Sequence, residues 1–320
     1  MPGRDSLRGV ALVQRGPEDL VAYAGGTAGS VPDSACTLGT RFQIASVSKQ
    51  FTAAAVLALA DKGALSVDDP IGRWIGGCPP AWDAITLHHL LTHTAGLPHW
   101  RDLSRLDHDA PPSAEEELRI FGDAPLVSAP GEGFSYSSPG YVLLARVVER
   151  VAGQPYASFL ATTIFEPLEM ASTFAGNGDG RPQLAAGHRA GVRVASFDLD
   201  TTNAGAGDIW STARDLVRWD RALASGEILS AASRQAMFTV HAAAPDDDGP
   251  VHTEGYGYGW RIGSVAGEHP LIYHTGDNPG FLAINAWFPN DDVRLVLLTN
   301  DEATDPSPIL AELMGAAFSR

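Results

Sequence analysis

The chain has 320 residues, of which 44% are hydrophobic and 19% charged, as is typical of a globular protein long enough for two packed lobes. Its 22 Lys and Arg residues against 38 Asp and Glu residues give a formal net charge of -16, which opposes binding to nucleic acid or to anionic membranes. Two cysteines, Cys36 and Cys78, exclude a disulfide framework, and no apolar leader or segment of ~20 apolar residues is present, so we expect a cytoplasmic protein.

The N-terminal part is predicted to form a β-hairpin followed by a helix. Residues 9–14 and 19–25 are apolar segments separated by a short Gly-Pro turn, as in two paired strands. Residues 50–62 are rich in Ala and Leu and end at Gly63, which predicts a helix with a glycine stop. We expect Ser46 in the first turn of this helix, where unpaired backbone N–H groups stabilise negative charge.

The middle of the chain is predicted to be helical and the C-terminal part to be a sheet. Helices are expected at 86–93, 141–152, 155–163 and 213–224, and again at 308–318. An antiparallel meander is expected from strands at 257–262, 269–274, 281–288 and 292–300. Surface loops are expected at 107–130 and at the acidic segment 245–250.

These elements predict an α/β (α+β) fold in which strands from both chain ends form one antiparallel sheet flanked by helices. Residues 1–65 and 210–320 would form the sheet lobe, and residues 66–209 an inserted, mainly helical lobe. An active site is expected between the two lobes.

A Ser-x-x-Lys motif, Ser46-Val-Ser-Lys49, carries the first indication of chemistry. Residues three apart share one face of a helix, so the hydroxyl and the amine can meet. A serine is a weak nucleophile unless a base takes its proton, and a desolvated lysine can act as that base. Alone the motif is weak, because a capping serine beside a solvated lysine gives the same pattern.

Two further motifs follow in order along the chain. Tyr136 and Ser138 lie in a loop bounded by glycine and proline, where an extended backbone would point both side chains the same way. His274, Thr275 and Gly276 lie at a predicted strand end, where a bare glycine would let an extended substrate approach the strand.

Together, Ser46-x-x-Lys49, Tyr136-x-Ser138 and His274-Thr-Gly276 resemble the three ordered motifs of the penicillin-recognising serine hydrolases. The chain is most similar within them to class C β-lactamases, D-Ala-D-Ala carboxypeptidases and related esterases of the family VIII type. The resemblance covers nearly the whole chain, with support from the segments 42–49, 85–98 and 209–216.

The resemblance implies a catalytic role for each motif, with neither metal nor cofactor. Ser46 would be the acylated nucleophile, and Lys49 and Tyr136 would share the base and acid roles in an order that the sequence leaves open. The backbone N–H groups of Ser46 and Asp277 would form the oxyanion hole. The substrate would be a small ester, amide or lactam, and the oligomeric state is left open.

Two departures from the family pattern bear on the substrate. Many relatives have Asn where this chain has Ser138, and many β-lactamases have Lys where it has His274. We expect esters or other activated acyl groups to be preferred over lactams and peptide amides. A second hypothesis is that protonated His274 helps to hold a substrate carboxylate.

Other candidate residues have ordinary structural explanations. Four histidines, namely His88, His89, His93 and His99, could suggest a metal, but a zinc hydrolase helix would need Glu where Leu90 stands, so packing is favoured. Trp100 is expected to line the cleft. Arg261 is interpreted as a surface salt-bridge residue, with carboxylate binding as the alternative. The segment 255–259 is interpreted as a strand. The acidic residues 115–117 are interpreted as a solvated face.

The sequence therefore predicts a serine hydrolase that forms an acyl-enzyme on Ser46 and cleaves an ester or amide. A carboxypeptidase or β-lactamase proper, and a biosynthetic acyltransferase or peptide cyclase, are the alternatives with the same chemistry. A non-catalytic ligand- or partner-binding module is the alternative from another class.

Overall fold

The largest element of the protein is an antiparallel sheet built from both ends of the chain. A computed structural model describes residues 7–29, 34–103, 112–200, 202–248 and 251–318. The strands are β1 Gly9–Arg15, β2 Glu18–Gly25, β3 Phe42–Gln43, β4 Phe174–Ala175, β5 His188–Arg189, β6 Val192–Arg193, β7 Ile209–Ser211, β8 Ala242–Asp248, β9 Val251–Tyr256, β10 Arg261–Val265, β11 His269–Asn278, β12 Phe281–Phe288 and β13 Val293–Thr299. The described residues form an eight-stranded sheet in the order β2-β1-β13-β12-β11-β10-β9-β8, which confirms the predicted fold class.

The helices cover both faces of this sheet. Their bounds are α1 Ser48–Asp61, α2 Leu87–Leu91, α3 Ala114–Asp123, α4 Ser138–Ala152, α5 Tyr156–Leu160, α6 Ala213–Ser225, α7 Ala231–Met237 and α8 Ser307–Phe318, and a π-helical turn at Ala161–Phe165 extends α5. Val10 and Leu12 of β1 belong to the core that includes α1, α4 and α6, whereas Ala11 and Val13 pack with α8. The continuous apolar run of β1 follows from this, because alternate residues are buried on opposite faces.

The elements between α1 and β7 are mainly helices and turns. Two short sheets accompany them, one of β3, β7 and β4 and one of β5 and β6, and β3 comes from the segment before α1. Helix α4 packs against both α1 and α2, and so links this region to the helix that follows Ser46. The division into lobes at residues 66 and 209 stays a proposal.

Several local predictions were wrong, mainly because the segments concerned contact residues far away in the sequence. The acidic segment 245–248 belongs to the edge strand β8, and residues 257–260 form a turn between β9 and β10. The predicted loop 107–130 contains helix α3, although its residues 107–111 lie outside the described residues. Glu117 on α3 is buried and paired with Arg146 of α4, so the acidic residues 115–117 are not simply a solvated face.

Two chain-wide expectations can be compared with the structure. Both cysteines are free thiols. Among the helices of the described residues, none has the length and apolar character needed to cross a membrane.

Candidate active site

Ser46 lies in a 3-10 turn, Ala45–Val47, that leads directly into α1. The preceding residue, Ala45, has a φ of 47°, a left-handed conformation that costs on the order of 1–3 kcal/mol for a residue with a side chain. The surrounding structure maintains this turn: the Ile44 N–H donates to the Ile209 carbonyl at 2.9 Å and the Val47 N–H donates to the Ile44 carbonyl at 3.1 Å. The serine therefore lies on a strained but firmly held turn.

Gly276 of β11 packs against this turn. A Cβ added at Gly276 would lie 2.3 Å from the Ile44 carbonyl oxygen and 2.9 Å from the Ser46 nitrogen. Both distances are far below ordinary contact, so a larger residue would displace the turn. Glycine is therefore required at position 276 because a side chain there would collide with the turn that carries Ser46. The sequence had suggested a different reason, namely room for a substrate next to the strand.

Lys49 is fully buried beside Ser46. Its Nζ lies 3.0 Å from Ser46 Oγ, 3.2 Å from Ser138 Oγ and 2.7 Å from the Ala206 carbonyl oxygen. Burial lowers the pKa of Lys49 to about 7, although the negative charges of Asp277 and Asp208 oppose this shift. A neutral amine can donate to the Ala206 carbonyl and to Ser138 and still offer its lone pair to the Ser46 hydroxyl.

Tyr136 lies next to Ser46, whose side chain acts to lower the pKa of the phenol. Burial raises the pKa of Tyr136 far above its ordinary value, so the phenol keeps its proton near neutral pH. Its ring lies 5.0 Å from Lys49 Nζ, measured to the ring centroid. The side chains of Ser46, Lys49 and Tyr136 therefore meet, as the motifs predict.

The backbone between Tyr136 and Ser138 is extended at Ser137, as expected, with φ -136° and ψ 111°, but it becomes helical from Ser138 onward. Ser137 is the N-cap of α4, with Oγ accepting from the Gly140 N–H at 3.4 Å, and Ser138 is the first residue of the helix. Ser138 nevertheless reaches the site, because its hydroxyl contacts Lys49 from the start of α4.

His274 is buried, and both of its ring nitrogens have partners within the protein. Nδ1 lies 2.5 Å from the Thr275 carbonyl oxygen, which can only accept, so Nδ1 carries the proton. Nε2 then accepts from the Tyr256 hydroxyl at 2.9 Å. Burial and the nearby charges of Lys49 and Arg261 hold the pKa of His274 well below its usual range. The hypothesis of a protonated His274 that binds a carboxylate therefore does not fit the structure.

A cleft of about 980 Å³ opens over these residues. Strand β10 pairs with β11 only as far as Tyr273, so the edge of β11 beyond it has no strand neighbour on that side. The predicted site residues that line the cleft are Ser46, Trp100, Tyr136, Ser138, His274, Thr275 and Asp277, while Lys49 lies beneath Ser46 and Gly276 behind it. The N–H groups of Ser46 and Asp277 remain our prediction for the oxyanion hole.

Four residues around this cleft had no role in the site, or only a secondary one, in the prediction from sequence. Arg261 lines it, with 21% of its side chain exposed and Asp246 at 3.7 Å, so it is more than a surface residue. Asn203 and Asp208 lie in or beside a glycine-rich turn, the one signal that could have indicated them. His93 is buried against the Tyr136 ring, with 4.3 Å between centroids.

The expected packing role of the other histidines agrees with their contacts. His88 lies 2.8 Å from the Tyr258 hydroxyl, and His89 accepts from the Thr86 N–H at 3.3 Å. Within the described ranges, no three His, Cys, Asp or Glu side chains come together as a metal site would require.

The chain matches the family described as "Beta-lactamase" over residues 2–317, and it belongs to this family. Over 319 residues it is 29% identical to penicillin-binding protein 4* of Bacillus subtilis (strain 168), covering 93% of this chain and 69% of the relative. Over 367 residues it is 31% identical to the esterase EstB of Burkholderia gladioli, covering 97% and 90%.

A solved structure agrees with these sequence relatives. The D-amino acid amidase of Ochrobactrum anthropi SV3, complexed with L-phenylalanine amide, superposes with a TM-score of 0.80 at 26% identity. The match covers 98% of this chain and 92% of the amidase.

Proposed function

We propose that this protein is a serine hydrolase that cleaves an ester or amide through an acyl-enzyme on Ser46. The observation that carries the proposal is the contact of a buried lysine with the serine hydroxyl, 3.0 Å apart, at the floor of an open cleft. The names of the relatives, an esterase, an amidase and a penicillin-binding protein, agree with acyl transfer to a serine.

Lys49 is the first base in this proposal, whereas the sequence left Lys49 and Tyr136 as alternatives. Its pKa of about 7 leaves a large neutral fraction near neutral pH, whereas Tyr136 retains its proton there. Neutral Lys49 takes the hydroxyl proton as Ser46 Oγ bonds to the substrate carbonyl carbon.

The remaining steps use groups already in place. The carbonyl oxygen becomes an anion beside the N–H groups of Ser46 and Asp277, whose stabilisation is typically worth about 3 kcal/mol per donor. When the bond to the leaving group breaks, the proton held by Lys49 passes through the Tyr136 hydroxyl to the leaving oxygen or nitrogen. Water then attacks the acyl carbon, and Lys49 takes a proton from it by the reverse route through Tyr136. As the bond between Ser46 Oγ and the acyl carbon breaks, Lys49 returns that proton to Ser46 Oγ and the carboxylic acid is released.

We expect esters to be better substrates than lactams or peptide amides. Ser138 presents a single hydroxyl toward Lys49, and neutral His274 provides no fixed charge next to the cleft. Arg261 is one of the arginines that line the cleft, and with 21% of its side chain exposed it is a better candidate than His274 to bind an anionic substrate group.

The test is the hydrolysis of p-nitrophenyl butyrate by wild type and by Ser46→Ala. We expect turnover in wild type and a loss of at least about 10³-fold in the variant, since the nucleophile carries most of the rate enhancement. Ser48→Ala is the matched control, because the Ser48 hydroxyl accepts from the Ile209 N–H at 3.1 Å instead of lying in the cleft. Equal turnover by wild type and Ser46→Ala would contradict the proposal.

A further inference from the structure

Helix α1 contacts the buried, glycine-rich turn at residues 203–207 through two residues on one of its faces. Lys49 Nζ lies 2.7 Å from the Ala206 carbonyl oxygen, and Thr52 Oγ1 lies 2.6 Å from the Gly205 carbonyl oxygen. Lys49 and Thr52 are three positions apart, so their side chains project from the same side of the helix. Two adjacent carbonyl groups of the turn are therefore bound by the helix that carries the proposed base.

The hydrogen bonds around Thr52 have a definite direction. A carbonyl oxygen can only accept, so the Thr52 hydroxyl donates to Gly205. The Tyr156 hydroxyl, 2.6 Å from Thr52 Oγ1, is then the donor to Thr52. Burial holds the pKa of Tyr156 well above its ordinary value, so this phenol keeps its proton. The donors thus run from Tyr156 through Thr52 to the Gly205 carbonyl.

The peptide group between Gly205 and Ala206 is fixed at both ends. Its oxygen accepts from Thr52, and its N–H donates to the Asn203 carbonyl oxygen at 3.0 Å. Gly205 has a φ of 78°, and a glycine backbone alone leaves such a peptide free to rotate. The next carbonyl along the chain is the one that contacts Lys49, so its direction depends on this peptide.

The direction of the Ala206 carbonyl decides which side of the Lys49 amine faces Ser46. A neutral amine has two N–H groups and one lone pair. With its N–H groups directed at Ala206 and Ser138, the lone pair is left facing Ser46 Oγ at 3.0 Å. If the carbonyl turned away, the amine could rotate and direct an N–H at Ser46, an orientation that cannot accept the hydroxyl proton.

From these contacts we infer that Thr52 is a positioning residue, which holds the turn so that the Ala206 carbonyl orients the amine of Lys49 for proton transfer. Thr52 is fully buried and does not line the cleft, so it acts on the reaction only through the turn. The inference rests on the proposed function and adds a residue to its reaction.

Two substitutions at Thr52 separate its hydroxyl from its methyl group. Thr52→Val keeps the shape of the side chain but leaves the Gly205 carbonyl without this donor, whereas Thr52→Ser keeps the hydroxyl and loses the methyl group. For p-nitrophenyl butyrate, kcat should fall roughly 10-fold in Thr52→Val with KM unchanged, since one hydrogen bond corresponds to about that factor. Thr52→Ser should retain most of kcat.

The pKa of Lys49 is a second readout, which a merely structural role of Thr52 would not move. The chain has two lysines, so protein labelled with ¹³C at the lysine ε carbon gives two signals, and Lys62→Met assigns them. A carbonyl acceptor stabilises the charged amine more than the neutral one. Thr52→Val should therefore move the titration of Lys49 to lower pH, by roughly half a pH unit, and Thr52→Ser should not.

The outcomes distinguish this inference from the proposed function. A wild-type kcat in Thr52→Val, or a loss of kcat that is equally large in Thr52→Ser, would overturn the inference while Ser46-dependent hydrolysis still stood. An unchanged titration of Lys49 in Thr52→Val would overturn it as well. If turnover by wild type does not depend on Ser46, the proposed function fails and the role of Thr52 in that reaction fails with it.

Discussion

At the scale of single residues, the site depends on the protonation of Lys49. Only the neutral amine can take the Ser46 proton, and burial lowers its pKa from 10.5 to about 7. Asp208 acts in the opposite direction, because its negative charge raises the pKa of Lys49. Burial also raises the pKa of Asp208 to about 7, so the two groups titrate as a coupled pair.

This pair gives a prediction for the pH dependence of hydrolysis. The kcat/KM for p-nitrophenyl butyrate should rise with pH along an acid limb near pH 7 as Lys49 loses its proton. Asp208→Asn should move that limb to lower pH, because removal of the negative charge lowers the pKa of Lys49 further. Asn matches Asp closely in size, so the substitution mainly removes the negative charge. A limb that stays in place or moves to higher pH would count against Lys49 as the base.

At the scale of elements, His93 connects the end of α2 to the loop that carries Tyr136. It has a φ of 57° and is 1% exposed, and its Nδ1 accepts from the Ser137 N–H at 3.1 Å. Its carbonyl accepts from the Ser135 N–H at 2.8 Å. The start of α4, and with it the position of Tyr136, therefore depends on a histidine in a left-handed conformation.

Two substitutions separate the hydrogen bond of His93 from its ring. His93→Phe keeps a ring against Tyr136 but leaves the buried Ser137 N–H without an acceptor, which costs about 1–3 kcal/mol, and Phe tolerates a positive φ poorly. His93→Asn provides an oxygen acceptor and tolerates this backbone. We expect Phe to lower Tm and kcat and Asn to retain most of both, as measured by thermal melts and ester kinetics. If Phe retained both Tm and kcat while Asn lost them, ring packing rather than the hydrogen bond would be the property that matters.

The elements also show how far the sequence could predict the structure. The hairpin and three strands of the C-terminal meander were predictable because their apolar runs and turn residues are local signals. Strand β8 was not, since an acidic edge strand resembles a loop until its pairing with β9 is known. The burial of Glu117 depends in the same way on Arg146, 29 residues further along.

The same limit applies to the candidate site. The contact between Ser46 and Lys49 was predictable because residues three apart share one face of a helix, whereas the place of Tyr136 beside them was implied by the family resemblance. The contact between Asn203 and Asn278 could not be predicted, since the two residues are 75 positions apart and Asn is common in turns. The neutral state of His274 likewise depends on its burial and on the nearby charges of Lys49 and Arg261, which no local pattern indicates.

At the scale of the whole molecule, the fold stabilises an arrangement that an isolated segment could not keep. Lys49 is 0% exposed between the sheet and the helices, a position in which the charged amine loses its hydration. The shift of its pKa from 10.5 to about 7 corresponds to about 5 kcal/mol of folding free energy, at 1.36 kcal/mol per unit. Packing elsewhere in the protein must offset this.

Lys49→Met should therefore abolish hydrolysis but stabilise the protein, by an amount that depends on pH. Below pH 7 wild type bears the whole cost of the buried charged lysine. The free energy of unfolding of Lys49→Met should therefore exceed that of wild type by the largest amount in this range. Between about pH 7 and 10.5 the unfolded chain binds a proton that the folded protein has lost, so wild type gains stability as pH rises. The gap between variant and wild type should narrow over that range.

The measurement is denaturant unfolding of both proteins at pH 6, 8 and 10, with Lys62→Met as the control. Lys62 is the other lysine of the chain and is exposed at the end of α1, so its replacement should leave the stability difference small and nearly independent of pH. Since Ser46, Ser138 and the Ala206 carbonyl lose a partner in Lys49→Met, the gain at pH 6 should fall short of the full ~5 kcal/mol. A gap that widens with pH would mean that Lys49 is charged in the folded protein, and Tyr136 would then have to be reconsidered as the first base.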